Sequence, residues 1–306
     1  MLIHASAIPW RRLSAAIVAV LLAAMTAACG ATSRAETERL DVVTSMSVLA
    51  GFAENVAGEH AEVTSLVPVG GDPHVYEPVP SDSRRITDAD VVLHNGLGLE
   101  PWFASLVAGS GREAVAVADA LQTSAVDGDS PPDPHLWMVP PRAAAYVDVI
   151  ADALAAADPE HADDYASNAE SYKAELDELD ADVAATLATI PPQSRTLVTS
   201  HDAYSYFAEH YGLEVVGTVV GFTTEEEPSA AAVSRLVDQI RAHGVPTIFV
   251  ETTVNPDVIE RIARDAGVAV GRPLYGDSLG EEGSGADTYA GMLRANAEAL
   301  AEGLGG

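Results

Sequence analysis

One stretch governs how this chain is arranged: Asp158 to Ile190 reads as a single unbroken helix. Tyr165, Tyr172, Leu176, Leu179, Val183, Leu187 and Ile190 recur at spacings of seven, four, three, four, four and three. That rhythm draws one apolar stripe along a helical face. Asp158 suits the N-cap, Pro159 the first helical position and Glu160 the positive end of the helix dipole. Pro191-Pro192 stop it. At about 1.5 Å per residue the helix runs about 50 Å, long enough to span two domains.

Both flanks of that helix alternate β-branched runs with helical patterns. "LDVVTS", "EVTSLVPV", "DVVLHN" and "AVAV" precede it, and "RTLVTS", "EVVGTVV", "TIFVE" and "VAVGRPLY" follow, with helices such as Arg235–His243 and Pro256–Ala266 between them. Alternation of this kind predicts an α/β fold. We expect two lobes, each a parallel four-stranded sheet flanked by helices, bridged by one long rigid α-helix. The boundaries read 40–157 for the N-terminal lobe, 158–190 for the linking helix and 191–306 for the C-terminal lobe. A short internal repeat supports two related lobes. "VVTSMSVLAGFAENVAG" from Val42 and "LVTSHDAYSYFAEHYG" from Leu197 share VTS and FAE at the same separation.

The first 29 residues read as an export signal. Arg11-Arg12 precede the uncharged "LSAAIVAVLLAAMTAA", which falls short of the ~20 apolar residues of a membrane span. Cys29, the only cysteine, follows at once. It resembles the lipid-attachment cysteine of bacterial lipoproteins, so residues 30–39 are expected to be a tether and the protein to sit outside the cytoplasmic membrane. The formal charge of −30 repels phosphate backbones and argues against nucleic-acid binding.

Ligands of open parallel sheets bind beyond the carboxyl ends of the strands, and metal-capable side chains gather there. His74 lies after "EVTSLVPV", His201 directly after "RTLVTS", Glu251 closes "TIFVE", and Asp277 follows "VAVGRPLY". His135 repeats the Asp-Pro-His tripeptide of His74. Proline fixes its own φ and biases the residue before it to extended backbone, so both histidines are held on stiff loops. His94 ends "DVVLHN" and is a further candidate. Three neutral imidazoles with one carboxylate make a nitrogen-rich set that zinc favours, whereas manganese takes more oxygen ligands.

"GGDPHVYEP", "NGLGLEPW", "PDPHLWM", "SHDAYSYFAEHYGL", "IFVETTVNP" and "LYGDSLG" together resemble the zinc/manganese-type substrate-binding proteins of bacterial ABC transporters, from about Leu40 to the C-terminus. The resemblance implies a metal carried in the cleft between two lobes and delivered to a membrane permease by a monomeric lipoprotein. Carried over, it matches His74 and His135 to first-lobe ligands and His201 and Asp277 to second-lobe ligands. Glu251 matches a cleft glutamate that supports rather than ligates. Histidine at 201 is similar to zinc-type members, and glutamate there tends toward manganese. The sequence lacks a His-rich loop before His135, a feature of many zinc members. The missing loop tempers a zinc assignment, but the imidazole at 201 makes Zn²⁺ the expected cargo, with Mn²⁺ or Fe²⁺ as the alternative.

Two other classes use the same ingredients. An exported zinc hydrolase also employs three histidines and a carboxylate, with Glu251 as general base. The sequence has no HExxH motif, and we expect no enzymatic activity. A surface adhesin of the same fold would bind its partner regardless of metal.

Overall fold

The computed structural model describes residues 39–121, 132–225 and 228–305. The expected export signal, Cys29 and the tether through residue 38 lie outside the described residues. No helix among the described residues is long and apolar enough to cross a membrane.

The run from Leu40 is β-branched at its centre and forms β1 (Leu40–Thr44). Val42 and Val43 are both buried but belong to different apolar clusters, because successive side chains leave a strand on opposite faces. Beside it lie β2 (Ala61–Ser65), β3 (Val91–His94) and β4 (Val115–Ala116), parallel throughout in the order β2-β1-β3-β4. Helices α1 (Ser47–Ala57), α2 (Pro80–Asp88), α3 (Phe103–Ala108) and α4 (Pro140–Ala157) complete this lobe.

The long helix, α5, spans Ala162–Leu187 and buries Tyr165, Tyr172, Leu176, Leu179, Val183 and Leu187, the stripe read from the sequence. Each such side chain contributes roughly 1.5–3 kcal/mol when fully removed from water. Packing against α1 and α4 on one side and the C-terminal helix on the other, α5 shares its face between both lobes. Its ends differ from expectation. Pro159–His161 form a 3-10 turn, and Asp158 does not cap the backbone but takes His161 Nδ1 at 2.6 Å and the Tyr165 hydroxyl at 2.9 Å. His161 is thereby tied down and stacked on His60 at 4.0 Å, not free in solvent. At the far end, Arg195 donates to the carbonyls of Leu187 and Ile190 (both 3.2 Å), which satisfies groups that helix termini leave unpaired.

The second lobe holds β5 (Thr196–Thr199), β6 (Glu214–Thr218), β7 (Thr247–Ile248) and β8 (Ala269–Val270), with helices α6 (Ser205–Tyr211), α7 (Ala230–His243), α8 (Asp257–Ala266) and α9 (Tyr289–Gly305). Its strands form two separate parallel pairs, β5-β6 and β7-β8, rather than the single four-stranded sheet expected for this lobe. The pairs meet where Phe249 N–H donates to Val198 O at 2.9 Å. "VAVGRPLY" is not one continuous strand, for a reason visible in its hydrogen bonds. Gly271 N–H donates to Ile248 O, yet the next donor onto Val250 O is Leu274. Between them lie Arg272 and Pro273, one residue too many and one without an N–H, so the ladder bulges.

The internal repeat is real at atomic level. Thr44 Oγ1 donates to Met46 O at 3.1 Å after β1, and Thr199 Oγ1 donates to His201 O at 2.7 Å after β5. Phe52 and Phe207 are both fully buried on the helices that follow.

Candidate metal centre

Each candidate side chain is delivered by a different loop segment. His74 sits in the loop between β2 and α2, where its N–H donates to Asp72 Oδ1 at 2.8 Å and Trp102 Nε1–H donates to Pro73 O at 2.7 Å. In the second Asp-Pro-His, Asp133 Oδ1 takes both the His135 N–H at 2.9 Å and Nδ1 at 2.7 Å. His201 stands just past β5, its N–H donating to Glu251 Oε1 at 3.0 Å while its Nδ1 lies 2.6 Å from Glu251 Oε2. Asp277 follows Gly276, whose carbonyl accepts Trp137 Nε1–H at 3.0 Å. Glu251 passes so close that a Cβ at 276 would lie 3.1 Å from its Oε2.

The four side chains converge. One ligand atom from each of His74, His135, His201 and Asp277 lies within 4.8 Å of the others, and all four residues are buried. Asp277 is the hub: Oδ2 is 3.7 Å from His74 Nε2 and 3.1 Å from His201 Nε2, and Oδ1 is 3.5 Å from His135 Nε2. Ligand atoms about 2.0–2.2 Å from a tetrahedral ion stand roughly 3.3–3.6 Å apart, so these spacings suit such an ion after small adjustments. The three Nε2 atoms and both Asp277 oxygens are buried without a well-aligned hydrogen bond. Buried polar atoms are almost always paired, because each orphan costs about 1–3 kcal/mol. Five such atoms lie together here, within reach of one common partner.

The electrostatics prepare this set. Burial pushes His74 down to about 4, so its imidazole is neutral near pH 7. Burial also opposes charge on His201, but Glu251 and Asp277 outweigh it and hold that imidazole well above its ordinary value. For Asp277, burial alone would raise the pKa, yet His201, His135 and His74 override it and keep the carboxyl well below its usual range. With Nδ1 tied to a carboxylate in both His135 and His201, Nε2 is the nitrogen left to donate a lone pair.

His94 is not part of this group. It stacks on Phe103 at 4.6 Å, and its Nδ1 lies 3.8 Å from Glu100 Oε2. Glu251 stands behind His201, as a supporting group. Asp133 was overlooked by sequence reading: both Asp-Pro-His copies carry an aspartate two residues before the histidine, yet only position 133 turns it onto the imidazole.

The family model for "Zinc-uptake complex component A periplasmic" matches residues 42–303. The chain belongs to that family. Within it, the manganese-binding lipoprotein MntA of Halalkalibacterium halodurans is 40% identical over 94% of this chain and 97% of its own length. A manganese ABC transporter substrate-binding lipoprotein, PsaA of Streptococcus pneumoniae, is 32% identical over 95% of this chain and 97% of its own. Among solved structures, the periplasmic zinc-binding protein TroA of Treponema pallidum superposes with a TM-score of 0.82 at 28% identity, covering 87% of this chain and 99% of that one. The zinc-uptake component A family thus encloses the whole two-lobed body of this chain.

Proposed function

We propose that this chain is the extracytoplasmic substrate-binding component of an ABC importer, anchored to the membrane through a lipid on Cys29. It captures one divalent transition-metal ion between its lobes through His74, His135, His201 and Asp277 and delivers it to a permease. The convergence of five orphaned buried donor atoms on one point carries this reading. Relatives named as substrate-binding lipoproteins support the transport role and the anchor. A hydrolase would need Glu251 as a free base, whereas both of its oxygens face His201.

Zn²⁺ is the proposed cargo, because three imidazoles and one carboxylate are a four-coordinate zinc set. Mn²⁺ is the second reading, favoured by the names of MntA and PsaA. Calorimetric titration of the metal-stripped full chain with each ion separates them. One tight zinc site per chain with much weaker manganese binding supports zinc. Comparable affinities for the two ions would move manganese ahead.

Two further results are expected. Metal affinity falls with acid, because a proton on His201 must leave before its Nε2 can ligate. The apparent affinity should lose up to about tenfold per pH unit on the acid side, and a pH series of titrations with a flat profile would contradict this. Removing a carboxylate that orients an imidazole should cost about 10–100-fold in metal affinity. Asp133→Ala and Glu251→Ala are the variants to titrate, with melting curves to confirm that they fold.

A further inference from the structure

Among the described residues, four large apolar side chains are strongly exposed: Val69 (39%), Val75 (46%), Val79 (48%) and Val270 (39%). Three of these four stand on the loop between β2 and α2 that carries His74. Its exposure does not come from looseness. Val79 N–H and the Tyr76 hydroxyl both donate to the buried Asp82 Oδ2, at 2.8 and 2.9 Å, and Arg85 holds Asp82 Oδ1 at 2.9 Å. Tyr76 also packs edge-on against Trp102 at 5.1 Å. Inward-facing groups pin the loop, and the valines are left facing out on a rigid frame.

The inner side of the same loop grips the second lobe at two points. Gly70 N–H donates to Ser278 Oγ at 2.7 Å, next to Asp277, from a backbone with φ of 78° that glycine adopts without strain. Thr224 Oγ1 donates to Asp72 Oδ2 at 2.6 Å. One segment therefore carries a candidate metal ligand, two hydrogen bonds between lobes and three exposed valines.

We propose that this valine-bearing loop is the surface the permease grips, and that pressure on it loosens the metal site; the proposal rests on the transport reading above. Pre-ordered apolar side chains suit docking, because little entropy is lost on contact. The formal charge of −30 disfavours both a second copy of this chain and an anionic lipid surface. It favours a protein partner with an apolar recess rimmed by basic groups. A partner seated on Val75 and Val79 pulls directly on His74, and one on Val69 pulls on the Gly70–Ser278 contact beside Asp277.

The test pairs the full chain with its cognate permease and ATPase reconstituted in vesicles. The variants are Val75→Asp with Val79→Asp, Val75→Ser with Val79→Ser, and Val270→Asp as an equally exposed control. Calorimetric zinc affinity should stay within about twofold in all of them, since each replaced side chain is exposed to solvent and supplies no ligand atom. Zinc uptake and stimulated ATP hydrolysis should fall at least about tenfold in the aspartate pair, less in the serine pair, and not in the Val270 control. Uptake by the aspartate pair within about twofold of the parent would overturn the proposal. So would a dimer that the aspartate pair disperses, or anionic-vesicle binding that it abolishes, with uptake unaltered. A parent chain that binds neither zinc nor manganese would overturn the transport reading and this surface with it, and calorimetry alone registers that failure.

Discussion

The Asp277→Ala variant is expected to bind zinc at least about 100-fold more weakly than the parent chain. A four-ligand zinc site is worth about 10–16 kcal/mol near neutral pH, hence roughly 3 kcal/mol per ligand, which is about two decades of affinity. Asp277 should exceed an average ligand. It is the one carboxylate in the converging set, and its oxygens approach all three Nε2 atoms within 3.7 Å. Without it, a dication would sit among three neutral imidazoles in a buried site, with none of its charge offset by the converging set. The stabilisation that bound metal confers, about 2.7 kcal/mol at a hundredfold excess over Kd, should vanish with it. Melting curves with and without zinc read this directly. Asp277→Asn, which keeps the shape, separates charge from packing. A variant that still binds zinc within about tenfold of the parent would show that the imidazoles do not depend on this carboxylate.

His201→Glu is expected to change which ion the protein prefers. The substitution turns a set of three nitrogens and a carboxylate into two nitrogens and two carboxylates, which moves it away from zinc and toward manganese. The ratio of zinc to manganese affinity should fall by roughly 10–100-fold. Glu251 complicates the single variant. It now holds His201 Nδ1 at 2.6 Å, and a glutamate in that place would set two buried carboxylates against each other and raise the pKa of one of them. Adding Glu251→Gln relieves the clash, so the double variant should bind manganese more tightly than the single one. Titrations of both variants with both ions provide the check. An unchanged ratio in the double variant would mean that position 201 does not set selectivity.

The convergence of the four side chains was legible because its signals are local. Two Asp-Pro-His tripeptides and two strand-end residues announce themselves by neighbours in sequence, and topology places strand ends together. The stripe of α5 was legible for the same reason, since Tyr165 to Leu187 need only helical spacing to share a face. What depends on tertiary partners was not. Asp72 and Asp133 occupy the same motif, yet one reaches across to Thr224 and the other turns back onto its histidine. Nothing within either tripeptide distinguishes them. The end of α5 is likewise set by Arg195, from beyond the double proline. The broken ladder is a different case. Pro273 stood inside the expected strand, and a proline there argues against continuity, so that signal was present in the sequence and passed over.

The matched threonine bonds after β1 and β5 place Met46 and His201 at corresponding positions. In the first lobe that position is filled by a fully buried methionine, so the first lobe's histidines come from loops farther along. The two halves of the grip are therefore built unlike each other. The second lobe is an anvil, with His201 one residue removed from a strand and backed by Glu251. The first lobe is the jaw, its two histidines borne on proline-stiffened loops. Wear, repair and redesign of such a tool would fall on the jaw: exchanging the loops at 69–79 and 132–139 could retune what is held while the anvil stays as it is.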